Sequence, residues 1–430
     1  MKNIKSRLII MNFLQFAVWG SYLTSMGGYL FAAGYGELIG WFYAMQGIVS
    51  MFMPAIMGII ADKLIPAQRL LGLCHGIAAL FIAGAGFCGQ NDMLWPMFTL
   101  YSLSVAFYMP TLALSNSVAY TVLEQGGYDT VKAFPPIRVF GTIGFIVAML
   151  VCDFAGFQAT PVQFFQCAAI GIILAIYAQM LPNCPVNRSS ENKSFAQRLG
   201  LDAFKLFKNK QMAMFFIFSM LLGVSLQITN GFANSFITSF KNIPEFANTF
   251  GANHANALIS LSQVSETLCI LLIPFCLKRF GIKRVMLIAM FAWVLRFGLF
   301  GLGNPGSGLW MFILSMIVYG VAFDFFNISG SLYVNENTSG EMRSSAQGLF
   351  MIMTNGIGAT VGTLGAQAVV NRLVPATESI DGVVVNGLSV VEGWSTTWLA
   401  FAGYALVVAL LFMVLFRYKH DRNKQVDINH

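Results

Sequence analysis

Charge is what this 430-residue sequence has least of. Asp, Glu, Lys and Arg make up 10% of it, against roughly 25% in a soluble domain, so most of the chain cannot present a water-solvated surface. Histidine is scarce, with 4 residues. The 7 cysteines (Cys74, Cys88, Cys152, Cys167, Cys184, Cys269 and Cys276) form no CxxC pair and have no histidine at metal-ligand spacing. That removes the sequence grounds for a zinc centre or a redox dithiol and leaves scattered apolar thiols. No GxxxxGK[ST] loop occurs, and no polar stretch is long enough for a soluble catalytic domain. A membrane enzyme or receptor-like signalling protein would need one of these features. Trp (7) and Tyr (13) are few beside Phe (40), the balance expected where side chains face lipid.

What is abundant is apolar sequence, at 57%, together with 41 glycines, which suit close helix packing in a bilayer. About 20 apolar residues carry a helix across the hydrocarbon core. Runs of that kind lie near 8–33, 38–61, 70–89, 94–123, 136–156, 160–182, 211–239, 256–277, 285–302, 308–333, 345–371 and 395–416, twelve in all. The first follows basic residues, as a signal peptide would. It is too long, however, and ends in no small-residue cleavage site, so it reads as a retained span.

Basic residues orient these spans. Lys2, Lys5, Arg7, Lys63, Arg69, Lys132, Arg138, Arg188, Lys193, Arg198, Lys205, Lys208, Lys210, Lys278, Arg279, Lys283, Arg284, Arg343, Arg417, Lys419, Arg422 and Lys424 fall on one side, and only Lys241 and Arg372 on the other. The positive-inside rule then puts both termini in the cytoplasm. The same asymmetry accounts for the net charge of +7 without invoking nucleic acid as a partner.

The segment 183–210 is the one long polar connection in mid-chain. It separates a six-helix half, 1–182, from a second, 211–417, with a tail at 418–430. Short echoes cross it: Val105-Ala106-Phe107 with Val321-Ala322-Phe323, Ile143-Gly144 with Ile357-Gly358, and Pro54 with Pro274. Parallel halves of this kind place a substrate site near the bilayer midplane. Gly58-Ile-Ile-Ala-Asp62-Lys63, followed by Arg69, resembles the GxxxD(R/K)…R loop of the major facilitator superfamily, although the usual second Gly is missing. Lys278-Arg-Phe-Gly281-Ile-Lys283-Arg284 looks like its degenerate second copy. The expected fold is therefore all-α: twelve transmembrane helices in two pseudo-symmetric halves.

Ionisable groups inside spans are costly, roughly 2.5–3.5 kcal/mol on insertion scales, and face a cavity or a partner. Arg138, Glu266, Arg296, Asp324 and His75 are such groups. Arg138, Thr142 and Phe145 share one face of the fifth span, with Pro135 and Pro136 expected just before that helix. Gln227, Asn230 and Asn234 share a face of the seventh, Gln263 and Glu266 of the eighth, and Tyr319, Phe323 and Asn327 of the tenth, with Asp324 one step round. Amides in membrane helices often only bond a neighbouring helix, but four such stripes point to a site. Arg296 reads as a structural ion-pair or snorkelling residue, and His75 as a satisfied helix residue. Amides and carboxylates suit sugar hydroxyls, the aromatic faces suit a flat ring, and one Arg beside a Thr suits ring carbonyls. Together they favour a neutral solute with a sugar and a planar base. A sugar transporter remains an alternative.

Longer runs carry a resemblance. Phe13-Leu-Gln-Phe-Ala-Val-Trp-Gly20, Phe134-Pro-Pro-Ile-Arg138-Val-Phe-Gly-Thr142-Ile-Gly-Phe145, Leu201-Asp-Ala-Phe-Lys-Leu-Phe-Lys-Asn-Lys210, Phe215-Phe-Ile-Phe-Ser-Met-Leu-Leu-Gly223, Leu226-Gln-Ile-Thr-Asn230, Ile259-Ser-Leu-Ser-Gln263-Val-Ser-Glu266-Thr-Leu and Ser315-Met-Ile-Val-Tyr319-Gly-Val-Ala-Phe323-Asp-Phe-Phe-Asn327-Ile-Ser-Gly330 resemble bacterial permeases of the nucleoside:proton symporter family. The resemblance implies proton-driven uptake of purine and pyrimidine nucleosides across the bacterial inner membrane, with the proton as coupling ion and no cofactor. It implies substrate contacts at Arg138, Thr142, Phe145, Gln227, Asn230, Gln263, Glu266, Tyr319 and Phe323. Glu266 and Asp324 are the candidates for proton coupling, because burial disfavours an ionised carboxyl. The two halves are expected to open the site to each side in turn. Xanthosine-preferring relatives share much of the pattern, and an uncoupled facilitator is the nearest mechanistic rival. Membrane lipid is the expected surroundings and a monomer the expected state.

The orientation can be tested with reporter fusions. Fusions after Arg343 and Arg417 should read cytoplasmic and one after Arg372 periplasmic; the reverse pattern would invert the topology.

Overall fold

The computed structural model describes residues 3–186, 201–381 and 383–418. Lys2, Arg188, Lys193, Arg198, Lys419, Arg422 and Lys424, most of the polar connection and nearly all of the tail lie outside the described residues, as does the Asp62 side chain. With no water in the hydrocarbon, each backbone N–H and C=O needs an internal partner, and helices supply one within the segment. Among the described residues, ten helices are long and apolar enough to cross a membrane, or eleven if one bent pair counts as a span.

The first expected span is broken. Helix α1 (Ile4–Gly20) stops, a turn follows, and α2 (Met26–Ala32) resumes. The break falls in Gly20-Ser21, where the Ser21 hydroxyl bonds back to the Ala17 carbonyl at 2.9 Å, a local pairing that bends helices. The second is the bent pair. Helix α3 (Ile39–Ser50) meets α4 (Met53–Lys63) at about 41°, with Pro54 in the first turn of α4, where its missing N–H costs least. The next six helices are α5 (Ala67–Gln90), α6 (Leu94–Gln125), α7 (Thr130–Phe154), α8 (Val162–Gln179), α9 (Lys210–Leu226) and α10 (Ile228–Ser239). A one-turn α11 (Phe250–Asn253) precedes α12 (Ala255–Phe280), α13 (Ile282–Leu302) and α14 (Leu309–Asn337). Helix α15 (Gly340–Met351) passes through a π-helical segment, Ile352–Gly358, into α16 (Ala359–Leu373). A hairpin of β1 (Ser379–Ile380) and β2 (Val383–Val384) then leads to α17 (Gly387–Leu415).

The chain packs as two units, Met1–Tyr29 with Met45–Leu199, and Leu30–Ala44 with Gly200–His430. In the first, α1 lies along α7, and α5 packs on α6 and α8. Leu8, Met11, Leu71, Cys74, Val118 and Val122 belong to its apolar core. Beyond α8, Gln68 holds the chain: its Nε2 donates to Asn183 Oδ1 at 2.8 Å and its Oε1 accepts from the Cys184 N–H at 2.9 Å. Burial there pushes the Cys184 thiol up to about 11, so it stays protonated at physiological pH. In the second unit, α9 lies along the π segment and α16, and α13 packs between α14 and α17. Phe236, Phe300, Phe312, Trp394 and Trp398 interlock as a buried aromatic cluster. Such pairs add about 0.5–1.5 kcal/mol each beyond area burial. Leu80, Ile176, Leu271, Phe275 and Val414 stay exposed on the helix surfaces, as lipid-facing side chains should.

Glycine sets the closest helix contacts. A Cβ on Gly144 would strike the Phe13 backbone and one on Gly20 the Phe145 backbone, so α1 and α7 touch backbone to backbone. In the second unit, Gly358 meets the Met220 carbonyl and Gly223 the Thr354 backbone. The echo Ile143-Gly144 and Ile357-Gly358 thus marks the same kind of contact in each unit. Pro54 and Pro274 do not match in this way: the first opens a helix after a bend, and the second lies inside α12.

Gly144→Leu and Gly358→Leu should each destabilise the protein by about 1–3 kcal/mol through overpacking, read as a lower Tm in detergent. Gly403→Leu, where a Cβ meets nothing within 4 Å, should leave Tm unchanged.

Candidate functional site

The first-unit residues stand on α7. This helix begins at Thr130, so Pro135 and Pro136 lie inside it and not before it as the sequence suggested. Two intrahelical bonds are lost there, just before the stripe Arg138, Thr142 and Phe145. Arg138 and Thr142 are half-buried and Phe145 is buried. The Arg138 guanidinium lies 3.8 Å from the Phe16 ring centroid. Phe145 meets Trp19 edge-on at 6.3 Å, and Trp19 in turn leans on Tyr108 at 6.0 Å. Phe16 and Trp19 were absent from the sequence-based site. They are spaced i, i+3 within the run Phe13–Gly20 and so share one face of α1, a signal present in the sequence.

A hydrogen-bond network lies behind that face. His75 Nε2 is 2.7 Å from Gln15 Oε1, and Gln15 Nε2 donates to the Thr111 hydroxyl at 2.8 Å. The Tyr108 hydroxyl donates to the Gln15 carbonyl at 2.9 Å. Because an amide oxygen only accepts, His75 is assigned the Nε2–H tautomer. His75 is thus satisfied at one nitrogen, while its Nδ1 is buried without a hydrogen-bond partner.

The second-unit residues stand on α9, α10, α12 and α14. Gln227 is the joint between α9 and α10, and its Oε1 accepts from Asn230 Nδ2 at 2.9 Å. Both are half-buried. Asn234, next on that stripe, is buried and donates from Nδ2 to Asn256 Oδ1 on α12 at 3.1 Å. It ties two helices, the bland role open to any membrane amide. Gln263 and Glu266 are half-buried on α12. This helix touches α14 closely: the Ser265 hydroxyl donates to the Ile317 carbonyl, and a Cβ on Gly320 would strike the Ser265 backbone. Glu266 is the next residue to Ser265 on α12. Tyr319 and Phe323 lie nearly parallel on α14, at 15° and 5.6 Å, with Asp324 buried beside them. The Arg296 guanidinium carbon lies 4.6 Å from the Tyr319 ring centroid.

Arg296 departs from both expectations for it. It is 2% exposed, so it does not snorkel. Its partners are the Ser315 carbonyl, the Ser262 hydroxyl and the rings of Tyr319 and Phe300, none of them a carboxylate. Among the described residues no group of three His, Cys, Asp or Glu could hold a metal ion.

Comparison with known proteins gives this geometry a context. A family model described as nucleoside H+ symporter matches residues 1–421. The chain is 47% identical over 423 residues to the nucleoside permease NupG of Escherichia coli, covering 98% of this chain and 97% of that protein. It is 47% identical over 425 residues to the xanthosine permease of Escherichia coli, covering 98% of each. A crystal structure of a NupG variant with one aspartate replaced by alanine superposes with a TM-score of 0.90 at 46% identity, over 96% of this chain and 100% of that one.

Asn234→Leu, which removes the tie to Asn256, should cost about 0.6–1.7 kcal/mol of stability. Gln227→Leu, at a half-buried joint, should change thermal stability in detergent by much less. Equal losses would mean that both amides are structural.

Proposed function

The chain belongs to the nucleoside H+ symporter family and is a proton-coupled nucleoside transporter, not an enzyme; from that premise we propose a role for each group of residues above. In the first unit, Arg138 and Thr142 bond the polar edge of the base, and Phe145 offers it a face. In the second, Gln227, Asn230, Gln263 and Glu266 bond the ribose hydroxyls, while Tyr319 and Phe323 give the nucleoside an aromatic surface. Glu266 and Asp324 are the proton carriers. The observation that carries this reading is the parallel Tyr319–Phe323 pair, with Asp324 buried next to it on α14 and Glu266 on the helix packed against α14. An aromatic face suits a planar base. A carboxyl held away from water is cheaper neutral than ionised, so a proton at that place can change what the surface binds.

The finer architecture is part of the same reading: twelve spans in two six-span halves of the major facilitator type, working by alternating access, with both termini cytoplasmic in the inner membrane and a monomer as the working unit. The matching glycine contacts of Gly144 and Gly358 support the repeat. A xanthosine-preferring transporter is the second reading, favoured by an identity to xanthosine permease equal to that with NupG.

Whole-cell uptake of labelled uridine tests both. Adenosine should compete strongly and a hexose should not. Competition by hexose alone would overturn the nucleoside assignment at this site, and competition by xanthosine far above adenosine would establish the second reading. Glu266→Gln and Asp324→Asn separate coupling from binding. At least one should lower gradient-driven accumulation by about tenfold, the equivalent of 1.4 kcal/mol, while uridine counterflow persists. Normal accumulation in both would remove these carboxyls from the coupling step.

A further inference from the structure

The buried guanidinium of Arg296 is unexplained by the roles assigned so far. An arginine inside a membrane span is costly and calls for a functional reason. This one stands on α13, which contributes none of the substrate residues proposed above. Its Nη1 donates to the Ser315 carbonyl on α14 at 2.6 Å and reaches the Ser262 hydroxyl on α12 at 3.4 Å. The Ser315 hydroxyl answers by donating to the Arg296 carbonyl at 3.0 Å. Ser315 lies one helical turn before Tyr319, and Ser262 one turn before Glu266. One side chain therefore ties two helices a single turn away from proposed substrate contacts on each.

The guanidinium also touches the site's aromatic surface directly. Its carbon lies 4.6 Å from the Tyr319 ring centroid and 5.5 Å from that of Phe300. Trp293, one turn earlier on α13, meets Tyr319 edge-on at 6.0 Å and 87°. Tyr319 is thus boxed by α13 from two directions, and Phe323 lies parallel to it. Such a box needs a flat cation. A planar guanidinium can stack on a ring while its N–H groups stay in plane to bond a carbonyl, and an ammonium cannot combine the two as well.

We propose that Arg296 is a positioning residue for the nucleoside site, holding the Tyr319–Phe323 pair in its binding orientation by stacking on Tyr319 while anchored to Ser315 and Ser262. The proposal rests on the reading of Tyr319 and Phe323 as nucleoside contacts. It assigns Arg296 no contact with the nucleoside.

Three substitutions separate stacking from the hydrogen-bond tie. Arg296→Met removes charge and donors, Arg296→Gln keeps a donor for the Ser315 carbonyl without a cation, and Arg296→Lys keeps a cation and a donor. Uridine KM and Vmax are measured per transporter in the membrane, together with uridine Kd and Tm of the purified protein. Arg296→Met should raise KM and Kd by about tenfold, the scale of a desolvated cation–π contact, and Arg296→Lys should recover more of that loss than Arg296→Gln. In a Tyr319→Leu background, Arg296→Met should add little, because the two changes remove one interaction. Loss confined to Vmax, Tm or membrane abundance would overturn the proposal, as would full rescue by glutamine. Tyr319→Leu and Phe323→Leu on their own distinguish the two levels of inference. If neither weakens uridine binding, the substrate assignment fails and takes this proposal with it. If they weaken it and Arg296→Met does not, the role of Arg296 alone fails. Should the methionine variant not fold, the lysine-against-glutamine comparison decides the same question.

Discussion

Every backbone amide in hydrocarbon must find its partner inside the protein, and most of this structure follows from that requirement. It makes the chain helical and removes the hydrophobic effect as a force between helices, because lipid is as apolar as leucine. What then holds helices together is close approach and buried polar contact. Both are visible here. Gly20 and Gly144 bring α1 onto α7, and Gly223 and Gly358 bring α9 onto the π segment, at distances that no Cβ would permit. Between these contacts, hydroxyls and amides bond across helices: Ser104 to the Ala78 carbonyl, Ser315 to the Arg296 carbonyl, Asn234 to Asn256. At the first interruption a local group joins the backbone bonding, the Ser21 hydroxyl donating to the Ala17 carbonyl.

The same constraint explains how much was legible in the sequence. Span positions were readable because apolar length is a property of the chain alone; ten of the twelve expected runs match stretches of helix long and apolar enough to cross a membrane. The breaks were not readable, since Gly20-Ser21 and Gln227 interrupt the backbone without interrupting the apolar run. The π segment at Ile352–Gly358 left no compositional trace either. It lies where Gly223 and Gly358 bring α9 into backbone contact, which is a property of two helices together.

Site residues divide along the same line. Helical spacing could place Arg138, Thr142 and Phe145 on one face, or Tyr319 and Phe323 on another. It could not say that Asn234 is committed to Asn256 while Gln227 and Asn230 bond each other at a helix joint. Nor could it show that Phe16 lies under Arg138, because that contact joins residues more than a hundred positions apart. Arg296 is the sharpest case. Its type suggested a carboxylate partner or a route to the interface. The fold gives it neither, satisfying it with a carbonyl, a hydroxyl and two aromatic faces.

Tyr319 is where these threads meet. The Ser265 bond to Ile317 and the close approach at Gly320 fix α14 against α12 on either side of it. Arg296 and Trp293 box its ring, Phe323 lies parallel to it, and Asp324 is buried nearby on the same helix. Aromatic surface and ionisable groups therefore share one packed neighbourhood, where a shift in charge cannot leave the ring's surroundings unaltered. Binding equilibria that share a neighbourhood are reciprocally linked: any effect of a proton on nucleoside affinity is matched by an equal effect of the nucleoside on proton affinity. For a symporter this linkage is what makes the loaded states favourable relative to the half-loaded ones, and under the roles proposed for Glu266, Asp324 and Tyr319 it requires no long-range pathway.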